Sequence, residues 1–541
     1  MHTLIKPLAA SLLAASLALA YPAGAAPVGP QVQEAPLRAH LAFLASDLLE
    51  GRGTGQRGAD LTVAYLEAQA RALGLKPGNG SSYLQPVNIA GVVARPADSS
   101  LALSANGAAL KLQFGKDWVW APGDAVAEHS FDAPLVFAGY GISAPEEGWN
   151  DFKDLDVKGK ILVVMVNDPQ PTEAEPNRFG GKSLTYYGRW TYKFEEAARQ
   201  GALGVLLIHT TPSASYAWSV VQNSWDNVER FQLADGERGT ALQGWMTEDS
   251  ARQLFAAAGA DLDQLRAAAE KKGFKAVPLN ARLQGSAKAS VRKIEQFNVA
   301  AVVPGTDARL KDEVVIYSAH WDHLGKQGTG KDTIFNGAVD NASGTAGLLA
   351  MAAEARLKPA KRSQMFLWVA AEEQGLLGSA AYASKPLWPL AKTAANLNLD
   401  SLNFVGKAKD IGVQGSERTE LVKFARQAAT ALGLQIAPAK PDLGGGYFRS
   451  DHFSFAKVGV PAFSIEGGRD YVGDQEAAKA KAKAYGARYH QVTDEYDPSW
   501  DLTGMVQQAQ FTLTLGLLVA NAPAMPAWNK GDPFGAARAS K

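Results

Sequence analysis

The sequence predicts an α/β fold: a mixed, mostly parallel sheet flanked by helices, with a smaller β-rich domain inserted into it. Three observations predict this. From Phe297 to about Ala522, strand-like and helix-like segments alternate, as in VVIYSA (314–319), SGTAGLLAMAAEAR (343–356) and MFLWVAA (365–371), an order that yields a parallel or mixed sheet covered on both faces. Several strand-like segments are continuous apolar runs, as strands buried on both faces require, and they deliver a His, Asp or Glu at or just past their ends. Around Ala121 to His129 the composition shifts, and a second strand series follows. At 541 residues the chain is also too long for one ordinary core.

In chain order, residues 1–26 read as a secretory signal peptide: Lys6, an apolar core from Leu8 to Ala20, then Ala23-Gly24-Ala25 with cleavage near Ala25 or Ala26. Export to the periplasm or the medium is therefore expected. Leu37, Leu41, Leu44 and Leu48 recur at helical spacing and predict a helix over 37–49. A second helix is predicted over 61–73, closed by Gly74 with Pro77 beyond. Between them GTGQRG matches a dinucleotide fingerprint in letters only, because it follows a helix and not a strand; a loop joining two helices is the better reading. Residues 83–114 alternate as a strand meander with a turn at Ala105-Asn106-Gly107. The main domain is thus expected over 27–120 and 285–522, the inserted domain over 121–275, and a flexible tail over 523–541. Seven of the twelve Trp lie between Trp118 and Trp245, and most are expected to be core residues, with one or two free to line a cleft. Residues 249–272 predict an alanine-rich helical stretch, and FNVAAVVP (297–304) the start of a new strand series.

Lys plus Arg equals Asp plus Glu at 54 each, which argues against a nucleic-acid or anionic-membrane surface. No segment beyond the leader approaches the roughly 18 apolar residues of a membrane span. There is no cysteine, so thiolate chemistry and disulfides are excluded.

His320, Asp340, one of Glu372 and Glu373, Asp400 and His490 form a set of nitrogen and oxygen donors suited to zinc, each at a strand end or in a loop. A lone histidine at a strand end is more often structural than a ligand; Asp322, two residues on, strengthens His320 because metal-bound imidazoles commonly need a partner at the second nitrogen. Asp340 and Asp400 follow strand-like or tight segments, where an unpaired buried carboxylate is costly. Glu372-Glu373 directly after FLWVAA can divide the labour, one carboxylate on metal and the other moving protons. His323 is expected to be structural. No G-x-S-x-G or H-E-x-x-H occurs.

His320 with Asp322, Asp340 in VDNASG, Glu372-Glu373 in AAEEQGLLGS, Asp400 in NLDS and His490 in YHQVTDEYD together resemble the site of the M28 peptidases, co-catalytic zinc exopeptidases. The resemblance spans about Phe297 to Leu518 and includes LASDLLEGRGTGQRG; the insert, with VFAGYGI, GKILVV and ARQGALGVLLIH, resembles a protease-associated (PA) domain. It implies the zinc exopeptidase fold and two zinc ions, Asp340 bridging, His320 and Asp400 completing one site and Glu373 and His490 the other. It further implies Glu372 as general base and then acid, Asp322 as the partner of His320, and a cis Asp340-Asn341 bond. Asp451 and His452 resemble a segment lining the pocket beside the metals, although an N-cap Asp with a packed His fits as well; Tyr447, Tyr485 and Arg449 are further candidate substrate contacts. The function implied is an exported aminopeptidase acting on peptides. A glutaminyl cyclase or carboxypeptidase of the same superfamily would share these ligands, and a receptor-like binder would need neither them nor Glu372.

Overall fold

A computed structural model describes residues 29–539; the expected leader lies outside them. Helix α1 spans Glu34–Leu44 and buries Leu37, Leu41 and Leu44. The helical spacing extends to Leu48, but that side chain is 69% exposed. The chain leaves the helix at Ala45, and Asp47–Arg52 form a 3-10 segment with left-handed Glu50 and Gly51. Helix α2 (Arg57–Ala72) follows, ended by left-handed Gly74. Gly58 in the first turn of α2 serves close packing: a Cβ there would lie 1.9 Å from the Leu49 carbonyl oxygen. Strand β1 spans Leu84–Ala94.

The next strands belong to a second module: β2 (Ala102–Ala105), β3 (Trp118–Ala121), β4 (Glu128–Phe137) and β5 (Ile161–Met165). After helix α3 (Trp190–Arg199) come β6 (Gly204–His209) and β7 (Leu242–Thr247). Strands β4, β5, β6 and β7 pair in parallel in that order, with β3 antiparallel at the edge. The alanine-rich stretch forms two helices, α4 (Glu248–Ala257) and α5 (Leu262–Ala269), separated at left-handed Gly259. This module has its own core, running from Ala94 to Ala287, which takes in β2 and β3 ahead of residue 121. Trp118, Trp120, Trp149, Trp225 and Trp245 are buried in it, and Trp190 and Trp218 pack against it.

Strand β8 (Val277–Val303) joins the modules. Up to Lys288 it pairs with β4, and from Ala289 it pairs with β1, so FNVAAVV is the end of a long strand and not a new one. The main sheet continues through β9 (Val314–His320), helix α6 (Gly344–Ala355), β10 (Ser363–Val369), helix α7 (Leu377–Ser384) and β11 (Thr393–Leu399). Then come β12 (Asp410–Gln414), helix α8 (Leu421–Ala431), the short β13 (Gln435–Ile436), helix α9 (His452–Lys457) and β14 (Ala462–Glu466). The order across the sheet is β1, β8, β10, β9, β11, β14, β12, β13. Strands β10, β9, β11 and β14 run parallel, and β12 is antiparallel to β14.

Period-2 alternation distributes the apolar runs to the two faces. Val315, Tyr317, Ala319, Phe366 and Trp368 join the large core with α1, α6 and the closing helix, while Val314, Ile316, Met365, Leu367 and Val369 pack with Tyr382 of α7 and Phe455 of α9. Helices α10 (Gln475–Tyr485) and α11 (Thr503–Asn521) complete the main module. The tail, expected to be loose, is docked. Helix α12 (Pro533–Ala539) follows an Arg418–Asp532 ion pair, Trp528 donates to the Gly459 carbonyl at 2.8 Å, and Phe534 packs on Phe453. The sequence shows no periodicity there because the anchors are isolated aromatic and charged side chains. No described helix is long and apolar enough to cross a membrane.

Candidate metal centre

The donors converge at the carboxyl edge of the parallel strands, where open α/β sheets place their sites. His320 is the last residue of β9, and Asp400 directly follows Leu399 of β11. Beyond β10, Ala371 adopts a left-handed φ of 54°, which turns the chain sharply so that Glu372 and Glu373 rise from the sheet edge. Asp340 lies in the loop before α6, and its bond to Asn341 is cis. His490 comes from the segment between α10 and α11 with a φ of 58° and stacks on Tyr489, ring centroids 3.9 Å apart.

The distances are short. His320 Nε2 lies 3.3 Å from both Asp340 Oδ1 and Asp400 Oδ1. His490 Nε2 lies 3.2 Å from Asp340 Oδ2 and 3.1 Å from Glu373 Oε2. Asp340 thus faces both imidazoles, one through each oxygen. Two donor groups, His320 with Glu372 and Asp400, and His323 with Asp340 and Glu373, each have ligand atoms within 4.8 Å of one another. Carboxylate and imidazole donors without thiolate, set two clusters deep, fit hard or borderline divalent cations such as zinc.

The electrostatics follow from burial among like charges. Burial first, then the nearby carboxylates of Asp400 and Glu373, pushes the Glu372 carboxyl well above its usual range despite His320. Burial opposes protonation of His320, but Glu372, Asp400 and Asp340 outweigh it and hold the imidazole well above its ordinary value. His490, likewise opposed by burial, is held up at about 10 by Asp340 and Glu373. Asp340 is pushed up by burial and pulled further down by the two imidazoles, ending well below the carboxylate range.

Asp322 is fully buried, and burial raises its carboxyl to about 6. Its Oδ1 lies 3.8 Å from His320 Nδ1, whose nearer neighbour is the Asp322 carbonyl at 3.2 Å. The carboxylate accepts from the backbone N–H groups of Glu372 at 3.0 Å and Glu373 at 3.3 Å. It therefore ties the β9 loop to the glutamate turn.

Three supports escaped sequence reasoning or entered it under another role. His323, expected to be structural, places Nδ1 2.6 Å from Glu373 Oε1, with its Nε2 buried and unpartnered. Asp494 accepts from the backbone N–H groups of Val339 and Asp340, each at 3.2 Å, so it fixes the Asp340 loop; the TDE stretch carrying it lies four residues past His490. Arg52 is 1% exposed and donates to four backbone carbonyls: Trp321 (2.8 Å), Leu44 (2.5 Å), Asn336 (2.7 Å) and Gly337 (2.9 Å). The loops bearing His320 and Asp340 are thereby clamped together. The sequence signal was the EGRGTG segment, read as a loop.

The candidate substrate contacts divide. Tyr485 donates its hydroxyl to Asp494 at 3.1 Å and so braces the Asp340 loop. Tyr447 is 4% exposed, donates to the Ala462 carbonyl at 3.3 Å and packs its ring against His452, with centroids 4.7 Å apart. Asp451 and His452 are fully buried; burial raises the Asp451 carboxyl to about 7 and lowers His452 to about 3. Ser450 donates to Asp400 Oδ2 at 2.6 Å, while neighbouring Arg449 is exposed.

Residues 298–514 match the model of peptidase family M28. Among curated relatives, the chain is 33% identical over 185 residues to a probable leucine aminopeptidase of Trichophyton verrucosum, covering 32% of this chain and 46% of that protein. It is 31% identical over 221 residues to an aminopeptidase of Pseudomonas aeruginosa, covering 38% of each. The matches thus span less than half the length of these relatives. Among solved structures, an aminopeptidase from Aneurinibacillus sp. strain AM-1 shares the fold, with a TM-score of 0.50 and 19% identity over 92% of this chain and 96% of that one.

Proposed function

We propose that the chain is a zinc-dependent aminopeptidase of the M28 type that removes N-terminal residues from peptides and is exported by its leader. The observation that carries the reading is Asp340 facing His320 through one oxygen and His490 through the other, with Glu373, Asp400 and Glu372 gathered around them. Asp340 would bridge two zinc ions, His320 and Asp400 holding one, Glu373 and His490 the other. Bound zinc supplies a Lewis acid that polarises the scissile carbonyl and acidifies water.

The remaining chemistry belongs to the side chains. Glu372, half-buried beside His320 and Asp400, would take the proton of the attacking water and return it to the departing amine. Asp322 holds the Glu372 backbone, so the direction of the carboxylate is set before substrate arrives. Asp400 and its neighbouring carboxylates offer acceptors for the free α-amine, which supports cleavage at the amino end. His323 orients Glu373 through its Nδ1. The second module would be a PA-type insert beside the site.

The test is hydrolysis of a panel of amino acid p-nitroanilides, free and N-acetylated, with and without chelator. Chelator-sensitive cleavage of the free-amine substrates alone is expected. Zinc-loaded protein that cleaves none of them would refute the aminopeptidase reading and favour a cyclase or carboxypeptidase.

A further inference from the structure

A cavity of about 940 Å³ lies between the second module and the carboxyl edge of the main sheet, with Glu146, Thr185 and Tyr187 on one wall and Val413, Ala437 and Glu466 on the other. No donor of the metal centre lines it. Two observations connect it to that centre.

The first is strand order. Leu399 of β11 pairs with Ile465 of β14, so Asp400 and Glu466 leave adjacent strands side by side, and Glu466 in turn pairs with Gly412 of β12. Two strand spacings place Gly412 about 10 Å from Asp400. The second is a strand edge with no strand beside it at Val413, a 9% exposed residue that lines the cavity. The outer side of β12 is covered by β13 only at Asp410 and Ile411. The Ala437 N–H closes that pairing on the Ile411 carbonyl at 2.9 Å, and the chain then runs off as Pro438–Asp442 along the cavity wall. By alternation, Val413 turns its own N–H and C=O to the same side as Ile411. Among the described residues no strand pairs with that side of Val413.

We propose that this edge is a peptide subsite, where the substrate chain beyond the cleaved residue adds to β12 as a short extended strand. The inference rests on the aminopeptidase reading. At about 3.3 Å per extended residue, a chain leaving the centre near Asp400 reaches Val413 after about three residues. Peptides of four or more residues engage the subsite, and dipeptides and aminoacyl anilides do not. The lining charges are of both signs, Glu147 and Glu466 against Arg418 and Arg469, which suits recognition of main chain more than of one side-chain type.

The experiment measures kcat/KM for one N-terminal residue presented as a p-nitroanilide and as di- to hexapeptides. A rise of about tenfold between tripeptide and pentapeptide is expected, the worth of one or two main-chain hydrogen bonds. Val413→Pro removes the edge donor. Ala437→Trp, at a half-buried position that keeps its backbone bond, fills the opening. Either variant is expected to lower the pentapeptide-to-anilide ratio about tenfold. Flat kcat/KM across lengths, or variants that lower both substrates by one factor, would overturn the subsite.

Calorimetric titration of the same pentapeptide into Glu372→Ala protein, with and without Ala437→Trp, separates the two readings. Length-dependent binding that Ala437→Trp weakens, together with a parent protein, Glu372 intact and zinc-loaded, that hydrolyses none of the substrates, retains the subsite and refutes the aminopeptidase. Hydrolysis with binding indifferent to Ala437→Trp retains the aminopeptidase and refutes the subsite.

Discussion

Replacing Arg52 with Met removes the donor from four buried carbonyls on three separate segments. Hydrogen bonds from a charged donor are worth about 1.5 to 3 kcal/mol each, giving roughly 6 kcal/mol or more in gross terms. Part of this returns because the guanidinium no longer needs to be desolvated. That cost is visible in the side chain itself, whose pKa burial lowers to about 10 against the pull of Asp322, Asp494, Asp340 and Glu373. Removing one partner of a buried charged network costs about 3 to 5 kcal/mol net, and that is the expected loss. Arg52→Lys keeps the charge but cannot reach three segments with one ammonium, so it is expected to recover less than half of the loss. Urea unfolding followed by tryptophan fluorescence, on zinc-loaded and zinc-free protein, measures both. Zinc affinity is expected to fall with stability, because the His320 and Asp340 loops lose their common clamp. An Arg52→Met protein within about 1 kcal/mol of the parent, with unchanged zinc affinity, would refute the clamp.

Three further outcomes are expected. Glu372→Gln lowers kcat by about 10² to 10⁴ with zinc content unchanged; zinc lost in proportion to activity would show instead that Glu372 is chiefly a ligand. Tyr485→Phe acts through Asp494, so it lowers stability and zinc affinity, by about 1 kcal/mol, and leaves KM alone; a change in KM alone would return Tyr485 to the substrate pocket. His452 is lowered from 6.5 to about 3 by burial, with the Arg418 charge adding to the effect. Its folded pKa is thus depressed, so the stability it contributes is full above pH 6.5 and lost as pH falls towards 3. His452→Leu should therefore flatten the acid limb of the stability profile by up to one proton, about 1.4 kcal/mol per pH unit; an unchanged slope argues against a buried neutral imidazole.

The alternation of elements was legible, and with it the strand ends that carry the candidate donors, because buried parallel strands write themselves as apolar runs that end in polar residues. VVIYSAH, FLWVAAEE and LNLD each state where the strand stops and what it delivers. Contacts between distant segments were not legible. Nothing local says that Arg52 meets the carbonyls of Trp321 and Gly337, or that Asp494 receives the N–H of Asp340, since those pairs are set by how helices and loops fold back on the sheet. Tyr485, a candidate substrate contact, donates its hydroxyl to Asp494, a partner that sequence does not reveal because it does not give the direction of a hydroxyl. The helix through Leu48 failed for a local reason, left-handed Glu50 and Gly51, which periodicity cannot detect.

Strand β8 belongs to both sheets, changing partners between Lys288 and Ala289 without a break in its backbone. Insertions more often hang on flexible linkers and swing like doors. Here one of the two connections is a beam: tilting the second module against the main one requires bending a strand that is hydrogen-bonded along both halves. The width of the opening between the modules is then tied to the curvature of that one strand, so that on the aminopeptidase reading a substrate would meet a slot gauged by β8.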